Sequence, residues 1–282
     1  MCSPKVARVV RERIQNEGLL KLSRRNFLAL GGLTTAAAAS TGLTTRARAQ
    51  NMGGEVVDLS HMLSPDFPVF PAFEKATKDT LVTVEENGFY AQQWTFGEHT
   101  STHLDAPGHF IAGGALVPEL DPSVLVGPAA VIDIAAKAAE NPDAMLAVED
   151  IEAWEADNGT IPEGAFVMMY SGWAEVLLEQ GADAFLGTDA EGVLHFPGFS
   201  PEAAEFLLSE RSIKGIGVDT ASLDNGPSAT FDVHLSVLGA GLLGIENLNN
   251  LATVGPMIGQ VVLGIPKYEQ GSGGPLRVLA LT

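Results

Sequence analysis

Three of the chain's six histidines fall within eleven residues, in the segment His99-Thr-Ser-Thr-His103-Leu-Asp105-Ala-Pro-Gly-His109-Phe110. His99, His103, Asp105 and His109 all occupy odd positions, so an extended backbone projects them from one face. A straight strand would hold His99 and His103 about 13 Å apart, whereas two imidazoles sharing one ion must each approach it to about 2 Å. The segment must therefore bend. Pro107 and Gly108 supply a break at one end and Gly97 at the other. A helix with His99 and His103 one turn apart is opposed by the run Thr100-Ser-Thr102 and by Pro107. The reading is a strand running into an irregular loop. A lone loop histidine needs no more than a hydrogen-bond partner. Two imidazoles and a carboxylate in one bent segment make an open site for zinc, or for manganese where more oxygen ligands join.

The first fifty residues read as an address rather than as part of the fold. Basic residues Lys21, Arg24 and Arg25 lead into the mildly apolar run from Phe27 to Leu43, and Ala47-Arg-Ala49 offers a small-x-small cleavage site. Ser23-Arg24-Arg25-Asn26-Phe27-Leu28 adds a twin-arginine signature. The expectation is a twin-arginine signal peptide over residues 1–49, recognised by the Tat translocase and cleaved near Ala49. The product would be periplasmic or extracellular. The apolar run falls short of the roughly 20 strongly apolar residues of a membrane span, so no stable membrane insertion is expected.

That segment holds nine of the 16 basic and two of the 35 acidic residues, leaving 7 and 33 and a formal charge of −26. So acidic a chain argues against nucleic acid, whose phosphates need Lys and Arg, and against anionic membranes. The single cysteine, Cys2, lies in the same segment. No thiolate is left to bind a metal or attack a substrate, so His, Asp and Glu must hold any ion. Residues 50–282 are enough for one domain with a sizeable core.

Along that domain, strands are predicted at Glu55 to Ser60, Thr80 to Val84, Tyr90 to Phe96, Ala129 to Ile134, Ala165 to Tyr170 and Ile213 to Val218. Several are unbroken apolar runs, as in strands buried on both faces. Helices are predicted at Val148 to Asn158, Trp173 to Gln180 and from Ser200, whose hydroxyl caps a helix with Pro201 in its first turn. Asp232 to Leu238 reads as a short helix start and Leu242 to Ile245 as a strand. The class is α/β.

The histidine segment resembles the HxGTHxDxPxHF signature of the metal-dependent cyclase family, which includes kynurenine formamidases and isatin hydrolases. The resemblance extends from Asp58-Leu-Ser-His61 through Leu125-Val-Gly-Pro128, Ser171-Gly-Trp173 and Gly217-Val-Asp-Thr220 to Ile245-Glu-Asn-Leu248. Ser101 departs from it, standing where the family usually has Gly. The resemblance implies a swivelling β/β/α fold, homodimeric or homotetrameric. It places metal ligation on His99, His103 and Asp105, with Asp105 bridging to a second ion held by His234 and Glu246, and catalysis on His109. One or two divalent ions, zinc or manganese, are implied for each chain.

The activity so implied is hydrolysis of a carbon–nitrogen amide bond in a small molecule by metal-activated water. The first expectation is an aryl formamide, the kynurenine formamidase reaction. The alternatives are a cyclic amide of the isatin type and a periplasmic metal-binding or ligand-binding protein without turnover. A serine hydrolase is opposed by the lack of a G-x-S-x-G segment. Candidate substrate contacts are Phe70, Trp94, Phe110 and His195. Phe70 replaces a Trp that the family's formamidases tend to carry. Trp173 and Phe199 are read as pocket wall or as core, and His61 as a structural residue.

Overall fold

The computed structural model describes residues 54–282. The expected export segment, residues 1–49, lies outside them. Among the described residues no helix is long and apolar enough to cross a membrane. The described chain falls into two units, residues 78–94 and the remainder.

The strands in chain order are β1 (Val56–Asp58), β2 (Thr77–Val82), β3 (Ala91–Thr95), β4 (His103–Asp105), β5 (Val126–Asp133), β6 (Met145–Leu146), β7 (Phe166–Tyr170), β8 (Gly198–Phe199), β9 (Gly215–Val218), β10 (Leu243–Glu246), β11 (Met257–Gly264), β12 (Gly273–Pro275) and β13 (Arg277–Leu281). The helices are α1 (Val84–Asn87), α2 (Ala135–Glu140), α3 (Val148–Asn158), α4 (Trp173–Gln180), α5 (Ala182–Leu186), α6 (Pro201–Glu210) and α7 (Asp232–Gly239). The smaller unit is a hairpin of β2 and β3 around α1, whose first turn is capped by the Thr83 hydroxyl.

The larger unit is the expected mixed α/β structure, built on a nine-stranded sheet in the order β1-β13-β11-β5-β7-β9-β10-β4-β12. Its centre is parallel, from β5 through β7 and β9 to β10, and its flanks are antiparallel. The unbroken apolar runs of β5 and β7 follow from burial on both faces. Ala130, Ile132, Val167 and Met169 pack into one core with residues of α3, α6 and α7, and the alternate residues Ala129, Val131, Phe166 and Met168 pack into a second core on the other face. Helix α6 begins as its sequence predicts, with the Ser200 hydroxyl accepting from Ala203 N–H at 3.0 Å.

The histidine segment differs from its sequence reading in order. The loop comes first, the strand is only β4, and a 3-10 turn follows at Pro107–His109. The bend sits at Ser101, with φ of 59°, rather than at Gly97. Bending there lets His99 fold back over the strand that carries His103 and Asp105.

Candidate active site and metal centre

Strand β4 lies between β10 and β12, and its register sets the site. His103 pairs with Glu246 across β10, and Asp105 has Gly244 on one side and Gly273 on the other. A side chain at either glycine would intrude. A Cβ on Gly273 would lie 2.6 Å from His99 Cε1, and one on Gly244 would lie 3.3 Å from Asp105 Oδ2. His234 enters from the first turn of α7. The structure thus brings together the residues that the sequence separates by more than a hundred positions.

Two groups of ligating atoms result, each within 4.8 Å: His99, His103 and Asp105; and Asp105, His234 and Glu246. Asp105 belongs to both. His99 Nδ1 is 2.6 Å from Asp105 Oδ1, and His103 Nε2 is 3.4 Å from the same oxygen. His234 Nε2 is 3.5 Å from Asp105 Oδ2 and 3.0 Å from Glu246 Oε1, and His103 Nε2 is 3.2 Å from Glu246 Oε2. All five residues are at most 8 % exposed. His103 Nε2 and Asp105 Oδ2 are buried without a well-directed hydrogen bond. Buried polar atoms are seldom left so. Imidazole nitrogens and carboxylate oxygens converging in this way fit one or two divalent ions.

Electrostatics agree. Burial opposes a charge on His103, but Asp105 and Glu246 beside it more than offset that and carry its pKa up to about 10. His234 is raised well above the ordinary value against the same opposition, through Asp105, Asp224 and Glu246. Burial alone would raise the Asp105 carboxyl, yet the neighbouring imidazoles hold it well below 3.8. Without an ion, the carboxylates bind protons on the histidines instead. A divalent cation competes for the same nitrogens.

His109 belongs to neither ligand group. Its ring stacks on His99 with centroids 3.7 Å apart and lies 6.3 Å from that of His234. Burial lowers its pKa to about 4, so it is a neutral base at neutral pH. Beside it opens a cavity of about 690 Å³, including its mouth, lined by His99, His103, His234 and Glu246 of the two groups and by Phe70, Phe73, Phe110 and Phe231. Phe110 stacks on His234 at 4.6 Å, and Phe231 lies 5.5 Å from Phe110 and 6.2 Å from Phe70. Phe231 holds φ of 53°, an uncommon conformation for a bulky residue.

Of the candidate substrate contacts, Phe70 and Phe110 line this cavity. Trp94 belongs to the smaller unit, where Lys78 Nζ lies 5.4 Å from its ring centroid. His195 is held between Asp143 and Asp189, at 2.9 and 3.3 Å, and is not among the cavity's lining residues. Trp173 and Phe199 are core residues, the indole N–H of Trp173 donating to Phe185 O at 2.7 Å. His61 is structural at its backbone, where its N–H donates to the Thr102 hydroxyl at 2.7 Å. Sequence reasoning missed Phe73, Phe231, Ser222 and Asn247 on the cavity wall, and Asp224 behind His234. Asn247 was within reach, since it follows Glu246 in a motif already singled out.

The family model described as "Putative cyclase" matches residues 57–225. An isatin hydrolase of Roseibium aggregatum is 35 % identical over 245 residues, covering 80 % of this chain and 91 % of its own. A kynurenine formamidase of Bacillus cereus is 30 % identical over 200 residues, covering 69 % and 82 %. The solved structure of isatin hydrolase A from Ralstonia solanacearum superposes with a TM-score of 0.78 at 35 % identity, covering 87 % of this chain and all of that one. With the matched fold, the bent histidine segment and the paired ligand groups, these similarities establish that the chain belongs to the cyclase family of metal-dependent hydrolases.

Proposed function

We propose that this hydrolase opens a small aromatic cyclic amide of the isatin type, cleaving the carbon–nitrogen bond of the ring with water. The observation that carries the reading is the cavity wall. Four phenylalanines face the ligand groups, and among the described lining residues there is no lysine or arginine. A flat, uncharged aryl lactam suits such a wall. An amino-acid substrate such as formylkynurenine would bring a carboxylate with no cationic partner there, a costly loss in a water-poor site. The formamidase reading, first from sequence, therefore becomes the second.

A bound divalent ion supplies an acidified water and a polarised carbonyl. The chain's own residues do the rest. His99, His103, Asp105, His234 and Glu246 hold the cation. His109, neutral and outside both ligand groups, accepts the proton released as the water oxygen bonds to the carbonyl carbon. It returns that proton to the nitrogen as the carbon–nitrogen bond breaks. The phenylalanines orient the ring and exclude bulk water.

The test is a comparison of kcat/KM for isatin and for N-formylkynurenine with the manganese- and zinc-loaded protein. The expected result is faster turnover of isatin to its ring-opened acid. Preferential turnover of N-formylkynurenine would replace this reading with the second.

A further inference from the structure

His234 and Glu246 reach the cavity from different elements, yet one dipeptide holds both. The backbone N–H of Leu223 donates to Glu246 Oε1 at 3.1 Å, and the carboxylate of the next residue, Asp224, takes His234. Asp224 is 3 % exposed. Its Oδ2 lies 2.6 Å from His234 Nδ1 and accepts the His234 backbone N–H at 3.2 Å, while Oδ1 accepts Val233 N–H at 2.9 Å. A backbone bridge to Phe199 fixes Asp224 in turn. With Nδ1 engaged, Nε2 is the ring nitrogen left for a ligand role, and it faces Glu246 and Asp105.

The three ligand imidazoles differ in what holds the other nitrogen. For His103 it is a backbone carbonyl, Nδ1 lying 2.9 Å from Ser101 O. For His99 it is a hydroxyl, Nε2 lying 3.2 Å from Ser272 Oγ. Behind His99 the nearest carboxylate, Glu98, stands 4.0 Å from Nε2 and accepts the Ser272 hydroxyl instead, so only His234 among them has a carboxylate in hydrogen-bond contact with its other nitrogen. A carboxylate in that position fixes the ring and raises its basicity toward a metal, and its loss ordinarily costs 10- to 100-fold in affinity.

We propose that Asp224 is the positioning residue of the group formed by Asp105, His234 and Glu246: it aims His234 Nε2 and sets that group's affinity for a divalent cation. It touches neither the ion nor the substrate. The inference rests on the reading of His234 as a ligand and adds a residue that the family signature does not single out.

The test is a zinc titration of the full chain against a chromogenic chelator for wild type, Asp224→Asn, His234→Ala and the double variant, with melting of each metal-free protein. Asp224→Asn keeps the side chain's shape and an oxygen to accept Val233 N–H, so the shorter of the two bonds that anchor the start of α7 survives while the longer one from His234 N–H and the charge are lost. The expected result is about 10- to 100-fold weaker binding at one step, the same step that His234→Ala weakens, with the double variant no weaker than His234→Ala alone. A second step, held by His99, His103 and Asp105, stays within about threefold. Unchanged binding in Asp224→Asn overturns the proposal. So does a loss that adds fully to that of His234→Ala, or an equal loss at both steps with a lower melting temperature, since each marks a merely structural role. If the chain binds a single ion that both variants weaken together, the two-ion reading fails and the role of Asp224 stands. A single ion indifferent to both variants overturns both.

Discussion

Ser101 shows how much of the site rests on one backbone angle. Its φ of 59° turns the loop so that His99 meets β4, and its carbonyl accepts from both His103 Nδ1 and the Asn247 side chain. A non-glycine residue in this region costs about 1 kcal/mol, and the Ser101 hydroxyl is buried without a partner. Ser101→Gly is therefore expected to leave metal content unchanged and raise the melting temperature by a few degrees, at roughly 2–4 °C per kcal/mol for a domain of this size. A clear fall would show that the hydroxyl has a partner this account lacks. The spacing of His99, His103, Asp105 and His109 was legible from sequence because bent chain and convergent ligands leave a dense local pattern. His234 and Glu246 came only through the family resemblance. Asp224 was not legible at all: one carboxylate among 35 acidic residues carries no mark of the imidazole it will meet.

At the scale of elements, the sequence showed those whose apolar pattern reports their own surroundings. The ends of α3 and α4 fall where the sequence put them, and β5, β7 and β9 are close to it. Strand β12 was hidden because Gly273-Gly-Pro275 reads as a turn. It is a strand only because β4 pairs with it, and its proline is tolerated because β12 is the sheet's edge. Its first glycine is the one that leaves room for His99. Gly273→Ala is expected to press on the Leu104 carbonyl of β4 as well as on the His99 ring, displacing the ligands that β4 and His99 supply and weakening divalent-ion binding by about 10-fold or more, measured by chelator competition. Wild-type affinity in this variant would mean that β12, β4 and His99 are not packed as the structure has them. Strand β11 was missed for a related reason, since Gly259 and Gly264 interrupt its pattern, whereas β13, with which it completes one flank of the sheet, carries no glycine and is too short a run to mark a strand by itself.

For the whole molecule, the ligand cluster ties stability to pH and to metal. His103 has a folded pKa near 10 against an ordinary 6.5, so its proton stabilises the metal-free fold fully below pH 6.5, and that contribution is lost as pH rises toward 10. The metal-free protein should therefore melt at progressively lower temperature between pH 7 and 10. The metal-loaded protein, whose ligand nitrogens are occupied by the ion, should show a much smaller decline. Parallel pH profiles for the two forms would remove the coupling. The same competition predicts that zinc affinity falls as pH is lowered through this range. The strongly acidic chain fits the proposed export of a soluble enzyme. N-terminal sequencing of the secreted protein should begin at Gln50, and an intact Met1 would refute removal of residues 1–49.

His109 is the group proposed to move the proton, with His99, His103, Asp105, His234 and Glu246 proposed to hold the cation. The direct measurement is metal content beside isatin turnover for His109→Ala. The expected result is wild-type metal content with turnover lowered by about 10²- to 10⁴-fold. Wild-type turnover with full metal content would contradict it.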